Sequence, residues 1–171
     1  MRVRVVLVLL ACALVAVPAA SANTIRLSWT ERIPAGFGYP VLQFHVSALT
    51  YDSKHFSVTG SVTNESQSPV TIHQTGKDTS IPRFGVKLPP VVCRYHKYPS
   101  CINGSSILIP ATTFSTPLPS VLNGGATWRG TFSGDAPMIK SIRVAVTFGN
   151  FVAPRQKKGF SWSTSHVVKL T

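Results

Sequence analysis

Ile142-Arg143-Val144-Ala145-Val146-Thr147-Phe148 places Ile142, Val144, Val146 and Phe148 on one side of an extended chain, with Arg143, Ala145 and Thr147 on the other. Successive side chains of a strand point to opposite faces, so this stretch reads as a strand with one buried and one wet face. Outward from it the same period recurs. Trp128, Gly130 and Phe132 alternate after an Asn123-Gly124-Gly125 turn, and Phe160, Trp162 and Val167-Val168-Lys169-Leu170 close the chain. Towards the N-terminus, Ile25, Leu27 and Trp29 share a face, as do Leu42, Phe44, Val46 and Ala48. Phe56, Val58, Gly60 and Val62 alternate with Ser57, Thr59, Ser61 and Thr63, and Phe84, Val86 and Leu88 continue the pattern. Val91 to Tyr95 and Ile107-Leu108-Ile109 read as further short strands, the latter stopped by Pro110.

Helix signals are nearly absent. The 13 prolines and 12 glycines interrupt the chain at short intervals, and the runs between them are rich in Val, Ile, Thr, Phe and Ser. The pattern predicts an all-β, antiparallel sandwich, because alternation demands a core on one side of every strand. Pro69 to His73 is expected to return as a hairpin after the Asn64-Glu65-Ser66-Gln67-Ser68 turn, and residues 110–125 to form a long surface connection.

The first 22 residues have a different character. Met1-Arg2-Val3-Arg4 is basic, Val5 to Val17 is an unbroken apolar run of 13 residues, and Ala20-Ser21-Ala22 is a small-x-small pattern. This is the layout of a cleavable signal peptide. As a helix the run would reach about 20 Å, short of the ~30 Å hydrocarbon core, so no transmembrane segment is expected. Leu9-Leu10-Ala11-Cys12 offers a competing lipobox reading with a lipidated Cys12, against which Leu10 and the apolar residues beyond Cys12 both argue. The expected organisation is a signal peptide over 1–22 and one secreted or envelope domain over 23–171.

The whole chain carries 17 Lys and Arg against 5 Asp and Glu, a net charge of +12, yet 44% of it is apolar. That describes a packed basic domain and excludes a disordered polycation. Cys93 and Cys101 remain once Cys12 leaves with the signal, and an even pair in an exported chain reads as a disulfide. The alternative is a metal site of these two with His96, whose spacing is not a standard one.

Phe56-Ser57-Val58-Thr59-Gly60-Ser61-Val62-Thr63-Asn64 with Ser66 and Pro69-Val70, and later Leu122 to Phe132, resemble exported bacterial immunoglobulin-like domains. The resemblance implies an immunoglobulin-like sandwich and leaves function open, since such sandwiches host adhesion, assembly and ligand-binding roles. Read physically, Gly60 marks a close backbone approach or a bulge, and Asn64 hydrogen-bonds its own turn.

Catalytic patterns are weak. Asp52 with His55 is the nearest acid–imidazole pair, and no nucleophile elbow surrounds any serine. His45, His55, His73, His96 and His166 show no metal-ligand spacing, and no helix start follows Asn123-Gly124-Gly125 to make a phosphate cradle. Neither a cofactor nor a metal is expected, and the chain reads as no enzyme.

Basic side chains are the distinctive surface chemistry. Arg155, Lys157 and Lys158 cluster between the last two strands, and Arg83, Lys87, Arg94 and Lys97 lie near the cysteine pair. Outside a cell the available anions are wall polymers, lipid head groups and acidic glycans. Arg94, Lys97, Arg155, Lys157 and Lys158 are therefore the candidate contacts to anionic envelope polymers or another envelope protein, with nucleic acid not expected. An exported carrier or sensor of a small ligand or metal is the alternative.

Overall fold

Alternation on this scale is realised as two antiparallel sheets. We describe them from a computed structural model of the protein covering residues 22–33, 40–72, 83–90, 106–154 and 159–171, with backbone only at 150 and 161. The strands are β1 (Asn23–Arg32), β2 (Leu42–Tyr51), β3 (His55–Asn64), β4 (Val70–Ile72), β5 (Gly85–Leu88), β6 (Ile107–Pro110), β7 (Thr113–Phe114), β8 (Val121–Leu122), β9 (Thr127–Asp135), β10 (Arg143–Val152) and β11 (Phe160–Lys169). The first sheet runs β1-β2-β3-β9-β7, and the second runs β6-β5-β10-β4-β8 with β11 paired to β10. No helix occurs among the described residues, and so none is long and apolar enough to cross a membrane.

β10, the strand of the opening heptapeptide, is central. Ala145 pairs with Lys87 of β5 and with Val167 of β11, and Phe151 pairs with Ile72 of β4 and Phe160 of β11. Thus β5 and β4 share one flank of β10 while β11 takes the other. Val144, Val146 and Phe148 have no exposed surface, and Ile142 is also buried.

Inward-facing side chains of both sheets meet in an aromatic core. Phe44 of β2 stacks on Phe148 of β10 with ring centroids 4.8 Å apart. Phe84 lies edge-on to Trp128 at 5.5 Å, Phe132 at 5.4 Å and Phe148 at 5.5 Å, touching both layers. Such edge-to-face pairs add about 0.5–1.5 kcal/mol each beyond the area they bury. The result is a β-sandwich arrangement, the expected coarse architecture.

Three local expectations are corrected. β4 does not form a hairpin with β3. It sits in the second sheet between β10 and β8, while β3 takes β9 as its partner beyond β2. The cause is Asn64, which is fully buried at the end of β3. Its Nδ2 donates to Ser68 O at 2.8 Å and Leu122 O at 2.9 Å, and its Oδ1 accepts from Ser66 N and Oγ. The asparagine bonds its own turn as expected, but the turn carries the chain across to the other sheet.

Ala48 does not share the face of Leu42, Phe44 and Val46. A bulge between Val46 and Ala48 inserts Ser47, so that Leu49 becomes buried in its place. Gly60 lies opposite Val46, where an added Cβ would come 2.5 Å from the His45 carbonyl oxygen. The close approach read from the sequence is therefore present. Finally, residues 110–125 are no plain surface loop. They hold β7 and β8, one in each sheet, and bury Leu118 between them.

Candidate functional site

The second sheet turns one row of side chains outward at its centre. Leu108 of β6 pairs with Lys87 of β5, Lys87 with Ala145 of β10, and Ala145 with Val167 of β11. Two residues along, Arg143 pairs with Lys169. Between these rows lies a groove of about 330 Å³ whose walls include Lys87, Leu88, Arg143, Ala145, Ser163, Thr164 and Val167.

An irregularity in β11 shapes this groove. Ala145 faces Val167 and Thr147 faces Ser163, so Thr164, Ser165 and His166 together oppose Val146 alone. Val146 N donates to Thr164 Oγ1 at 3.2 Å, and that hydroxyl donates to His166 O at 2.9 Å. A side-chain hydroxyl thus stands in for a ladder bond, and the surplus residues bow away from β10.

The bowed segment is held from the other sheet. Glu31 continues the inward phase of Trp29 on β1, opposite Phe44 of β2. Its side chain is only 8% exposed. Ser165 N, Ser165 Oγ, His166 N and His166 Nδ1 lie 2.7, 2.8, 3.1 and 2.7 Å from its Oε1, and Trp162 Nε1 donates to its Oε2 at 2.8 Å. Burial works to raise the carboxyl pKa, but the bonds from His166, Trp162 and Ser165 outweigh it and hold the group at about 2. Trp29 stacks on the His166 ring, centroids 5.1 Å apart and planes 8° from parallel. Glu31 is a latch joining the two sheets beside the groove.

Charge around the groove is one-sided. The four acidic side chains among the described residues are all engaged elsewhere. Glu31 forms the latch, Arg32 Nε donates to Glu65 with Gln43 3.0 Å from its other oxygen, and Asp52 and Asp135 flank His55. None of the ion pairs among the described residues involves Lys87, Arg143 or Lys169. An anion entering the groove therefore meets cations with no internal carboxylate to displace.

The acid–imidazole pair takes a different form. His55 Nδ1 lies 3.0 Å from Asp52 Oδ2, and its Nε2 lies 3.4 Å from Asp135 Oδ1. The Lys54 and His55 backbone amides and the His55 ring hold the Asp52 carboxyl below its ordinary value. Both imidazole nitrogens face carboxylates, and the three side chains form a cluster at the end of the first sheet. His45 bonds Thr30 on the outward face at 2.9 Å, and His166 is committed to Glu31. Among the described residues no three or more His, Cys, Asp or Glu are grouped to hold a metal.

Cys93, Cys101, His96, Arg94, Lys97, Arg155, Lys157 and Lys158 lie outside the described residues, as do Cys12 and the rest of 1–21. Of the basic residues singled out from the sequence, Lys87 reaches the groove. Arg143, Lys169 and Glu31 were not singled out. Arg143 carries a readable signal, a cation on the wet phase of the strongest strand. Glu31 also carries one, an acid on the apolar phase of Ile25, Trp29 and Ile33. Their meeting with β11 carries none. Against known protein families, curated proteins and solved structures, the chain finds no match.

Proposed function

We propose that this chain is an exported, non-catalytic binding module, an immunoglobulin-like sandwich whose second sheet holds anionic groups of envelope or extracellular polymers. The observation that carries the reading is the set of cations at the groove, Lys87 and Arg143 with Lys169 beside them, while every described acid is engaged elsewhere. Residues 1–22 support export, and the face-to-face antiparallel sheets and the 56–70 pattern support the immunoglobulin-like assignment. In the same reading Cys93 and Cys101 are proposed to pair as a disulfide, and Arg94, Lys97, Arg155, Lys157 and Lys158, which lie outside the described residues, are proposed as further contacts to the polymer. Exposed cations of this kind steer and hold polyanions in a salt-dependent way.

The test is retention of the mature chain on immobilised polyphosphate and polyglutamate across a salt gradient. The double variant Lys87→Glu/Arg143→Glu is expected to elute at markedly lower salt, with at least tenfold weaker binding, and an unchanged far-ultraviolet spectrum. Identical retention of parent and variant at every salt concentration overturns the proposal.

A further inference from the structure

The groove is not lined as a site for a purely hydrophilic polymer. On the first sheet, the outward row Thr24–Thr50–Ser57–Ser133–Thr113 is entirely hydroxylic. The outward row through the groove is Leu108–Lys87–Ala145–Val167, three apolar side chains around one cation. Val167 is 53% exposed, and among the described residues Val121 is the one other exposed large apolar side chain. Outward positions of β1, β3 and β9 take mostly Ser, Thr or charge, so the aliphatic surface of Val167 beside Ala145 at the mouth of a cationic groove suits a partner with an apolar part.

Geometry places the two chemistries side by side. Lys87 pairs with Ala145, and Arg143 is two residues along the same strand. With strands about 4.8 Å apart and about 6.8 Å per two residues, the Cα atoms of Lys87 and Arg143 lie about 8 Å from each other, within reach of one acid group for two long side chains. Ala145 and Val167 continue from that point across β10 and β11. Concavity matters as well: about 330 Å³ is at the lower end of small-molecule sites, and a hollow seats a single chain better than a flat bilayer surface.

We infer that the groove takes a single-chain anionic amphiphile, its acid group between Lys87 and Arg143 and its aliphatic chain along Ala145 and Val167. The inference rests on the anion-binding reading and narrows its ligand class. Ser163 on the wall supplies a hydroxyl for one of the acid group's remaining oxygens.

Calorimetric titration of the mature chain with decyl phosphate below its micelle concentration, with inorganic phosphate and with decanol tests it. Decyl phosphate is expected to bind at least tenfold more tightly than inorganic phosphate, since each methylene fully covered contributes roughly fourfold, while decanol gives no saturable heat. Val167→Thr keeps the strand-favouring shape, so folding is unaffected. It is expected to cut the advantage of the decyl chain severalfold and leave inorganic phosphate unchanged, whereas Arg143→Gln weakens both. Equal affinities for decyl and inorganic phosphate overturn the inference. So does binding to phosphatidylglycerol vesicles without binding to monomeric decyl phosphate, which assigns the face to a membrane surface. If polyanion retention still depends on Lys87 and Arg143 in either case, the broader reading stands and only the amphiphile falls. If charge reversal at both leaves that retention unaltered, the broader reading falls first.

Discussion

Asn64 and Glu31 are the two polar side chains on which the sandwich depends most, and they act in opposite ways. Asn64 is neutral and fully buried, with both amide hydrogens and its oxygen bonded. Asn64→Ala should destabilise by about 2–4 kcal/mol, because Ser68 O and Leu122 O lose their donor as well as the turn its acceptor. Asn64→Asp should cost at least as much, since an oxygen then faces two carbonyls. Urea denaturation checks both, with a lower midpoint and an unchanged slope. Glu31 is charged and sits at the seam. Its folded value of about 2 is below the ordinary 4.5, so the stabilisation is present in full above pH 4.5 and is lost as pH falls towards 2. Glu31→Gln should lower stability at pH 7 by about 1–3 kcal/mol and flatten the acid side of the stability profile. Asp52 is lowered in the same direction but is only half-buried, so solvent screening keeps its share small and some acid sensitivity remains. Trp162 donates directly to Glu31, so tryptophan fluorescence should report the same acid transition.

At the scale of elements, regular strands and irregular ones behave differently. β3 and β9 keep an unbroken inward phase, and their buried residues are those that alternation picks out, whereas β10 keeps it as far as Phe148 and is interrupted between Gly149 and Phe151. β1 and β2 are interrupted, at Arg26/Trp29 and at Val46/Ala48, and β11 is interrupted opposite Val146. One extra residue reverses every side chain beyond it, which is why Ala48 changes faces, whereas the two surplus residues of β11 leave Ser163 and Val167 on the same face. Alternation carries no mark of where a bulge falls, since that depends on the partner strand. The β11 bulge is built on a single hydroxyl. Thr164→Val keeps shape and strand preference but leaves Val146 N and His166 O without that partner. A loss of about 1–3 kcal/mol is expected, together with faster amide exchange at Val146. Phe84 belongs to this scale too, because its ring touches aromatic side chains of both layers. Phe84→Ala should cost about 3–5 kcal/mol, measured by the same denaturation.

For the whole molecule, the balance of 17 basic against 5 acidic residues has a consequence separate from any ligand. Uncompensated positive charge repels itself in the compact state, and salt screens that repulsion. Raising sodium chloride from about 10 mM to 0.5 M should therefore raise Tm by about 2–4 °C, the shift of roughly 1 kcal/mol in a domain of this size, while weakening polyanion retention. Stability and binding move in opposite directions with the same variable, and thermal scans alongside the retention gradient separate them. What local chemistry could decide, the amino-acid order decided: strand character from a period of two, the absence of helix among the described residues from closely spaced Pro and Gly, the Gly60 approach, the Asn64 turn and the excess of cations. These follow from residues near one another in the chain. Which strands pair, that β4 crosses to the second sheet, that Glu31 meets the β11 bulge and that Lys87 comes to stand beside Arg143 were decided by the tertiary structure alone. Each joins residues dozens of positions apart, and the energy that selects such a pairing comes from a shared core and from donors and acceptors that no local pattern brings together.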